Sequence, residues 1–148
     1  LQQMMAPSVT LMISKKCLDC VGGFDEKLNH SVDYDLVLRL AKKYNFKFID
    51  EPLAVVHATG ADRMTNDLFK EAKAMEYICE KHKTLFEKHP KILAKRYYRI
   101  GRCLCCAGYD EKGMSYLCHS LKLKFNLKTV LVLAKSMLDI CYKSVKRH

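Results

Sequence analysis

Two aspartates two positions apart lie in the segment Val32–Leu40, and their neighbours give them different expected roles. Apolar residues recur three, four, seven and eight positions after Asp33, which places this aspartate on the apolar face of a helix. Asp35 stands four residues before Arg39, the spacing of an ion pair on a helix surface. The sequence therefore predicts that Asp33 points towards the protein body and that Asp35 lies on the solvent side.

An inward carboxylate in the first turn of a helix has two interpretations, and the residues leave both open. Asp33 would face the positive end of the helix dipole and the unpaired N–H groups there, which stabilise a negative charge. A carboxylate held in this way can act as a general base at neutral pH. It can equally be a capping residue that accepts a hydrogen bond from the first turn and takes no part in chemistry.

The eight cysteines are the other residues that could do chemistry, but their contexts favour free thiols. Cys17 and Cys20 have CxxC spacing, yet no second CxxC and no His pair follows at a zinc-finger distance. Cys103, Cys105 and Cys106 are too crowded for tetrahedral chelation by all three. The sequence therefore predicts eight free, metal-free cysteines, most of them acting as small apolar residues on helices.

The elements that would position these residues differ between the two parts of the chain. Before position 65 we predict a capped helix at 14–20, a second helix at 32–44, and β-strands at 9–13, 46–49 and 53–56. After Thr65 the apolar residues repeat with a helical period, and we predict helices at 66–89, 91–107, 110–123 and 127–145 without any strand. The predicted fold class is therefore α/β for 1–64, followed by an all-α extension for 65–148, and mostly helical overall.

The net charge of +10 is concentrated in the second part of the chain. Lys and Arg number 7 against 8 Asp and Glu in 1–62, a net of −1, and 19 against 8 in 63–148, a net of +11. Such a basic segment can face anionic lipid, nucleic acid or an acidic partner, or be a solvated lysine-rich surface. No recognition motif accompanies it, so we expect no specific nucleic-acid binding. Peripheral contact with an anionic membrane remains an expectation.

Four segments, in order, resemble the last third of the catalytic domain of family 2 glycosyltransferases, which have the GT-A fold. Their sequences are APSVTLMI at 6–13, VGGFDE at 21–26, DYDLVLRLA at 33–41 and IDEPL at 49–53. The combination of GGFDE with DYDLxLRLA is the specific part of the resemblance, which covers about 5–66. It implies that 1–64 is the C-terminal segment of such a domain, with part of its sheet.

The resemblance also implies a reaction and its residues. In the family an acidic pair opens this helix, and its Asp deprotonates the acceptor hydroxyl; Asp33 matches that Asp, whereas Val32 replaces the preceding Glu. His57 and Arg63 fall in a loop where the family often has residues that approach the donor phosphates, although ordinary strand-end and surface roles stay open for both. The implied activity is inverting transfer of a sugar from a nucleotide-sugar donor to a hydroxyl of a saccharide or lipid-linked saccharide by a cytoplasmic enzyme.

The donor-binding features of the family are not found in these residues. Asp33 and Asp35 have the spacing of its metal-binding Asp-x-Asp motif, but on a predicted helix rather than after a strand, and no Gly-rich phosphate loop occurs. The resemblance implies a divalent metal, Mn or Mg, in the complete enzyme and none bound to this chain. We therefore expect the chain to be a piece of a longer polypeptide that is inactive alone, with an exposed sheet edge that favours self-association.

The helical extension has a second, weaker resemblance. Residues 98–121 resemble a degenerate tetratricopeptide helix pair, in which Gly101 permits close helix packing and Gly108 ends the first helix. A plain helical extension is the alternative, and one repeat is too little to bury a solenoid core. The alternative function for the whole chain is a non-catalytic helical module that binds a protein partner, or a remnant of an enzyme.

Overall fold

A computed structural model describes residues 8–55 and 67–145 of the chain. The described residues form a 3-10 turn and seven α-helices, and the chain divides into two compact units, Leu1–Met64 and Thr65–His148. The first unit contains the 3-10 turn Ser8–Thr10 and the helices α1, Lys15–Val21, and α2, Val32–Ala41. The second contains α3, Leu68–Lys81; α4, Lys83–Glu87; α5, Pro90–Cys106; α6, Asp110–Leu123; and α7, Leu127–Val145.

The first unit contains no β-strand in its described residues, so the predicted α/β fold with a partial GT-A sheet is wrong. The segment predicted as the first strand begins with the 3-10 turn, and 46–55 has no regular structure. Strand residues must pair their N–H and C=O groups with a neighbour, and the β-prone composition of these segments supplies no such partner. Several of their apolar side chains are instead exposed, among them Met12, Phe48 and Val55.

Helix α1 has a capping residue at each end, and its start agrees with the predicted capped helix at 14–20. The Ser14 hydroxyl accepts a hydrogen bond from the Cys17 N–H at 3.3 Å. Gly22 has a left-handed φ of 83°, and its N–H donates to the Leu18 carbonyl at 3.0 Å. Glycine takes this conformation without a steric penalty, so it can end the helix and turn the chain into the loop that precedes α2.

Helix α2 is short and buried on nearly every side. It ends at Ala41 rather than at the predicted Tyr44, and residues 34–38 are all buried, together with Leu40. Burying a leucine side chain contributes about 1.5–3 kcal/mol, so this ten-residue helix carries much of the apolar burial of its unit.

The second unit is entirely helical in its described residues, as the helical period predicted. Its first helix begins at Leu68 rather than at the predicted position 66. Asp67 caps it by accepting the Lys70 N–H at 3.0 Å. The predicted single helix to position 89 is broken at buried His82, whose φ of −111° and ψ of 27° separate α3 from α4.

Helices α5 and α6 form an antiparallel hairpin in which two glycines meet. A Cβ on Gly101 would lie 2.7 Å from the Gly113 carbonyl oxygen, and one on Gly113 would lie 2.8 Å from the Gly101 carbonyl oxygen. Further along, the Ser120 hydroxyl donates to the Ala94 carbonyl at 2.7 Å. Gly108, with φ of 87°, follows the end of α5. The close packing predicted at Gly101 is confirmed, and Gly113 is its partner.

Helix α7 packs mainly against α6 and also contacts α5. Thr129 is fully buried and Ser136 is 6% exposed, whereas Leu127, Leu131 and Leu138 are exposed. None of the helices in the described ranges combines the length and apolar character needed to cross a membrane.

Candidate active site at the start of α2

Arg39 joins α2 to the turn that ends α1. Its guanidinium donates to the carbonyl oxygens of Val21 and Gly23, each at 2.6 Å, and its Nε donates to Asp35 Oδ2 at 2.8 Å. The Asp35 side chain is 0% exposed and that of Arg39 is 17% exposed. A planar guanidinium has five N–H donors in a fixed fork, which suits these three acceptors. The two motifs of the sequence, GGFDE and DYDLVLRLA, are thus linked by one side chain.

The burial of Asp35 corrects its expected position on the solvent side. The predicted pairing with Arg39 is present, but both groups lie mostly inside the protein. Helical spacing reports which residues on one helix can meet, and not which face is covered by the rest of the chain. The burial of the pair depends on the turn at Val21 and Gly23, whose carbonyl groups accept the other hydrogen bonds of Arg39.

Asp33 lies in the first turn of α2 and is partly exposed, so the prediction that it points towards the protein body is wrong: Asp35 is the inward aspartate of the two. Its Oδ1 accepts the Tyr34 N–H at 2.8 Å, one of the groups that a helix start leaves without an intrahelical partner. Ser31, which precedes the helix, has a left-handed φ of 58° and makes no side-chain capping bond. Among the ion pairs of the described residues, none includes Asp33. Both interpretations of this aspartate, cap and base, are therefore compatible with its surroundings.

His30 was not identified from the sequence and lies immediately before this helix start. Its side chain is 9% exposed, and its Nδ1 is hydrogen-bonded to the Ser31 hydroxyl at 3.0 Å. Its Nε2 is buried and has no hydrogen-bond partner within the described ranges. A histidine in a polar loop gives no periodic signal, so only the folded loop reveals its burial.

The other two predicted site residues, His57 and Arg63, lie outside the described residues, as does Val56 of the third predicted strand. Of the predicted site, the structure therefore positions Asp33 alone. Among the side chains that the structure describes, no three His, Cys, Asp or Glu lie close enough together to hold a metal ion. Asp35 is already paired with Arg39, so Asp33 and Asp35 together do not fit a divalent metal site.

The CxxC motif lies on α1, where its second cysteine meets the residues that follow α2. Lys43 Nζ donates to Cys20 Sγ at 3.5 Å and to the Cys20 carbonyl at 3.3 Å. Hydrogen bonds from Tyr44 and Lys43 lower the pKa of the Cys20 thiol, and the Tyr44 pKa rises to about 12 through its hydrogen bond with Cys20. Burial instead raises the pKa of Cys79 to about 12. The seven cysteines with described side chains are free thiols.

A cavity of about 210 Å³ in the second unit is a separate feature, lined in part by Glu76, Tyr97 and Tyr116. Burial alone would raise the pKa of Glu76. The ion pair with Lys112 lowers it by more, so the Glu76 pKa lies below its ordinary value. Burial raises the pKa of both tyrosines. The carboxylate is therefore ionised and the phenols are neutral at pH 7, and none is adjusted for proton transfer there.

Comparison of the chain with protein-family models, with curated proteins and with solved structures gives no match. A function is therefore inferred from the residues of the chain itself. The start of α2 is the place where its sequence motifs and its folded geometry coincide.

Proposed function

We propose that the chain is part of an inverting, nucleotide-sugar-dependent glycosyltransferase of family 2, and that Asp33 is its catalytic base. The observation that carries the proposal is the Arg39 clamp. It holds together the two motifs that resemble this family, and it occupies Asp35 while Asp33 stays accessible at the helix start.

In the proposed reaction Asp33 accepts the proton of an acceptor hydroxyl. The acceptor oxygen attacks the anomeric carbon from the side opposite the leaving nucleoside diphosphate, which inverts the configuration. The Tyr34 N–H and the start of α2 stabilise the negative carboxylate before the proton arrives. Asp35 is unsuited to the role, because it is fully buried and its charge is neutralised by Arg39.

The proposal assigns the acceptor side and the base to this chain. The groups that bind the nucleotide-sugar, and any divalent metal on its diphosphate, belong to other residues of the complete enzyme. The family resemblance implies that the acceptor is a hydroxyl group of a saccharide or a lipid-linked saccharide.

The test is the substitution Asp33→Asn in the complete enzyme, assayed by release of nucleoside diphosphate from a panel of nucleotide-sugars. Asn keeps the shape and the hydrogen bond to Tyr34 but cannot accept a proton, so we expect kcat to fall by roughly 10²–10⁴-fold. Folding should survive, since removing one negative charge from the first turn of a helix costs only about 0.3–1 kcal/mol. The matched control is Asp19→Asn, at an exposed position of α1 outside the four resembling segments, which should keep near-normal turnover.

A non-catalytic module is the alternative, and the loss of the acidic neighbour at Val32 favours it. Near-normal turnover of the Asp33→Asn enzyme would leave this residue with a capping role only. If the complete protein releases no nucleoside diphosphate from any donor in the panel, the non-catalytic alternative is favoured.

A further inference from the structure

Helix α7 exposes a stripe of leucines on the side that faces away from its own unit. Leu127, Leu131 and Leu138 are 64%, 62% and 69% exposed, and exposed Ala134 lies between them. Their spacing of four, three and four residues puts them on one face of the helix. These four residues are called the leucine face below.

The side of α7 that faces its own unit buries two small polar side chains, with the half-buried Val132 and Leu133 beside them. Thr129 and Ser136 are buried, and the Thr129 hydroxyl has no hydrogen-bond partner within the described ranges. A helix that packs on a protein core normally buries its leucines, because exposed apolar surface is unfavourable in water. The leucine face is therefore a candidate surface for binding another apolar phase outside the protein's own core. Phe125, before the helix, and Met137 add further exposed apolar surface.

The positive charges around α7 indicate what kind of surface the leucine face would contact. Lys128 and Lys135 are exposed and fall on the same side of α7, next to the leucine face by helical spacing. Residues 122–148 contain seven Lys and Arg and one acid, Asp139, a net of +6. A second copy of the chain would bring two strongly basic units together, whereas a negatively charged surface is complementary to them.

We propose that the leucine face of α7 binds an anionic lipid surface. The leucines would enter the boundary between headgroups and acyl chains, with the helix lying in the plane of the interface. Lys128 and Lys135 would extend their alkyl chains along the lipid and place their ammonium groups at the phosphates. This mode needs no membrane-spanning helix, and it depends neither on Asp33 nor on the proposed reaction.

The first experiment measures co-flotation of the full chain with phosphatidylcholine vesicles, with and without phosphatidylserine. We expect binding to the phosphatidylserine vesicles, and at least roughly tenfold weaker binding for the double substitution Leu131→Ser and Leu138→Ser. Both positions are exposed, so helical circular dichroism should be unchanged; should it fall, the single substitution Leu127→Ser replaces the pair. Val55→Ser, at an 83% exposed position in the first unit, is the control and should bind like the unmodified chain.

The second experiment separates local charge from total charge. The pair Lys128→Gln and Lys135→Gln should weaken binding to phosphatidylserine vesicles by roughly 25-fold, about fivefold for each lysine at the surface. Lys91→Gln with Lys95→Gln changes the net charge equally at exposed positions of α5, and should weaken binding clearly less.

Three outcomes would overturn the proposal. The first is absence of binding to phosphatidylserine vesicles at physiological ionic strength. The second is equal binding by the leucine variant, which would leave charge alone as the cause. The third is a dimer in light scattering that Leu131→Ser with Leu138→Ser converts to a monomer, since the leucine face would then join two copies of the chain.

Discussion

Asp35 and Arg39 form the polar contact that fixes the start of α2. Substituting Asp35→Asn would leave the mostly buried guanidinium without its negative partner, and breaking a buried pair in this way costs about 3–5 kcal/mol. We therefore expect amide hydrogen exchange in residues 15–41 to accelerate strongly. Asp19→Asn makes the same chemical change at an exposed position of α1 and should leave exchange there nearly unaltered. Equal exchange rates in the two variants would show that the clamp contributes little.

Cys20 should be the most reactive of three thiols whose pKa values differ. Its pKa is lowered by Tyr44 and Lys43, whereas burial raises that of Cys79 to about 12 and that of Cys103 to about 11. At a given pH a lower pKa means more thiolate, so iodoacetamide should modify Cys20 first, as measured by mass spectrometry. The rate at Cys20 should fall as pH drops through its pKa.

The matched variant for this prediction is Tyr44→Phe, which removes the main hydrogen bond to the thiolate. It should move the midpoint of the Cys20 modification rate to higher pH, while the rates at the two buried cysteines stay the same. Modification of Cys79 at the rate of Cys20 in the unmodified chain would contradict the assigned surroundings.

At the scale of single residues, the sequence reveals partners that are near in the chain and misses those that are distant. The pairing of Asp35 with Arg39 follows from four-residue spacing, and it is present. The burial of the pair was wrongly predicted, because it depends on Val21 and Gly23, which lie 18 and 16 positions before Arg39. The role of Asp33 as a base stays a prediction.

At the scale of elements, the crossing of α5 and α6 depends on Gly113. A methyl group there would meet the Gly101 carbonyl and Cys105, and overpacking of this kind costs about 1–3 kcal/mol. Alanine gains up to about 1 kcal/mol in helix propensity, which offsets only part of that cost. We expect Gly113→Ala to lower the free energy of unfolding in urea, measured by circular dichroism.

The control for this substitution is Ser115→Ala, at an exposed position of the same helix, which should be neutral or slightly stabilising. A more stable Gly113→Ala chain would mean that the two helices can separate at no cost and that the crossing is not fixed by its glycines.

The helices were easier to predict than the strands for a physical reason. A helix satisfies its backbone within a continuous segment. A cap such as Ser14, a first-turn acid such as Asp110 and the apolar period are therefore enough to locate it within a few residues. A strand needs a neighbour, and 46–56 has the composition of strands without showing what would pair with it. The break at His82 was missed because the apolar period continues through it.

At the scale of the whole molecule, the two compact units lead to a prediction about folding. The fully buried residues Ile78, Ile100, Leu104 and Leu117 all belong to the second unit, and α3, α5, α6 and α7 pack with one another there. We expect a fragment of residues 65–148 to keep its helical circular dichroism and to unfold cooperatively on heating. A fragment that melts without a transition would show that this unit is not an independent folding domain.

Sugar-nucleotide binding is a second property of the whole molecule. If the donor-binding groups belong to other residues of the complete enzyme, isothermal titration of this chain with nucleotide-sugars and a divalent metal should show no micromolar binding. Micromolar affinity for any donor would place the donor site within these 148 residues and change the assignment of the acceptor side.

The Arg39 clamp has a consequence for the order in which the protein is made. Arg39 follows Val21 by 18 positions in the chain. Since ribosomes add about 5–20 residues per second, Arg39 is synthesised about 1–4 seconds after the carbonyl groups that it binds. During that interval water must hydrate them, and the turn at Gly22 can already have formed by itself. When the guanidinium of Arg39 binds these carbonyl groups it replaces that water, and one side chain then joins two segments synthesised seconds apart.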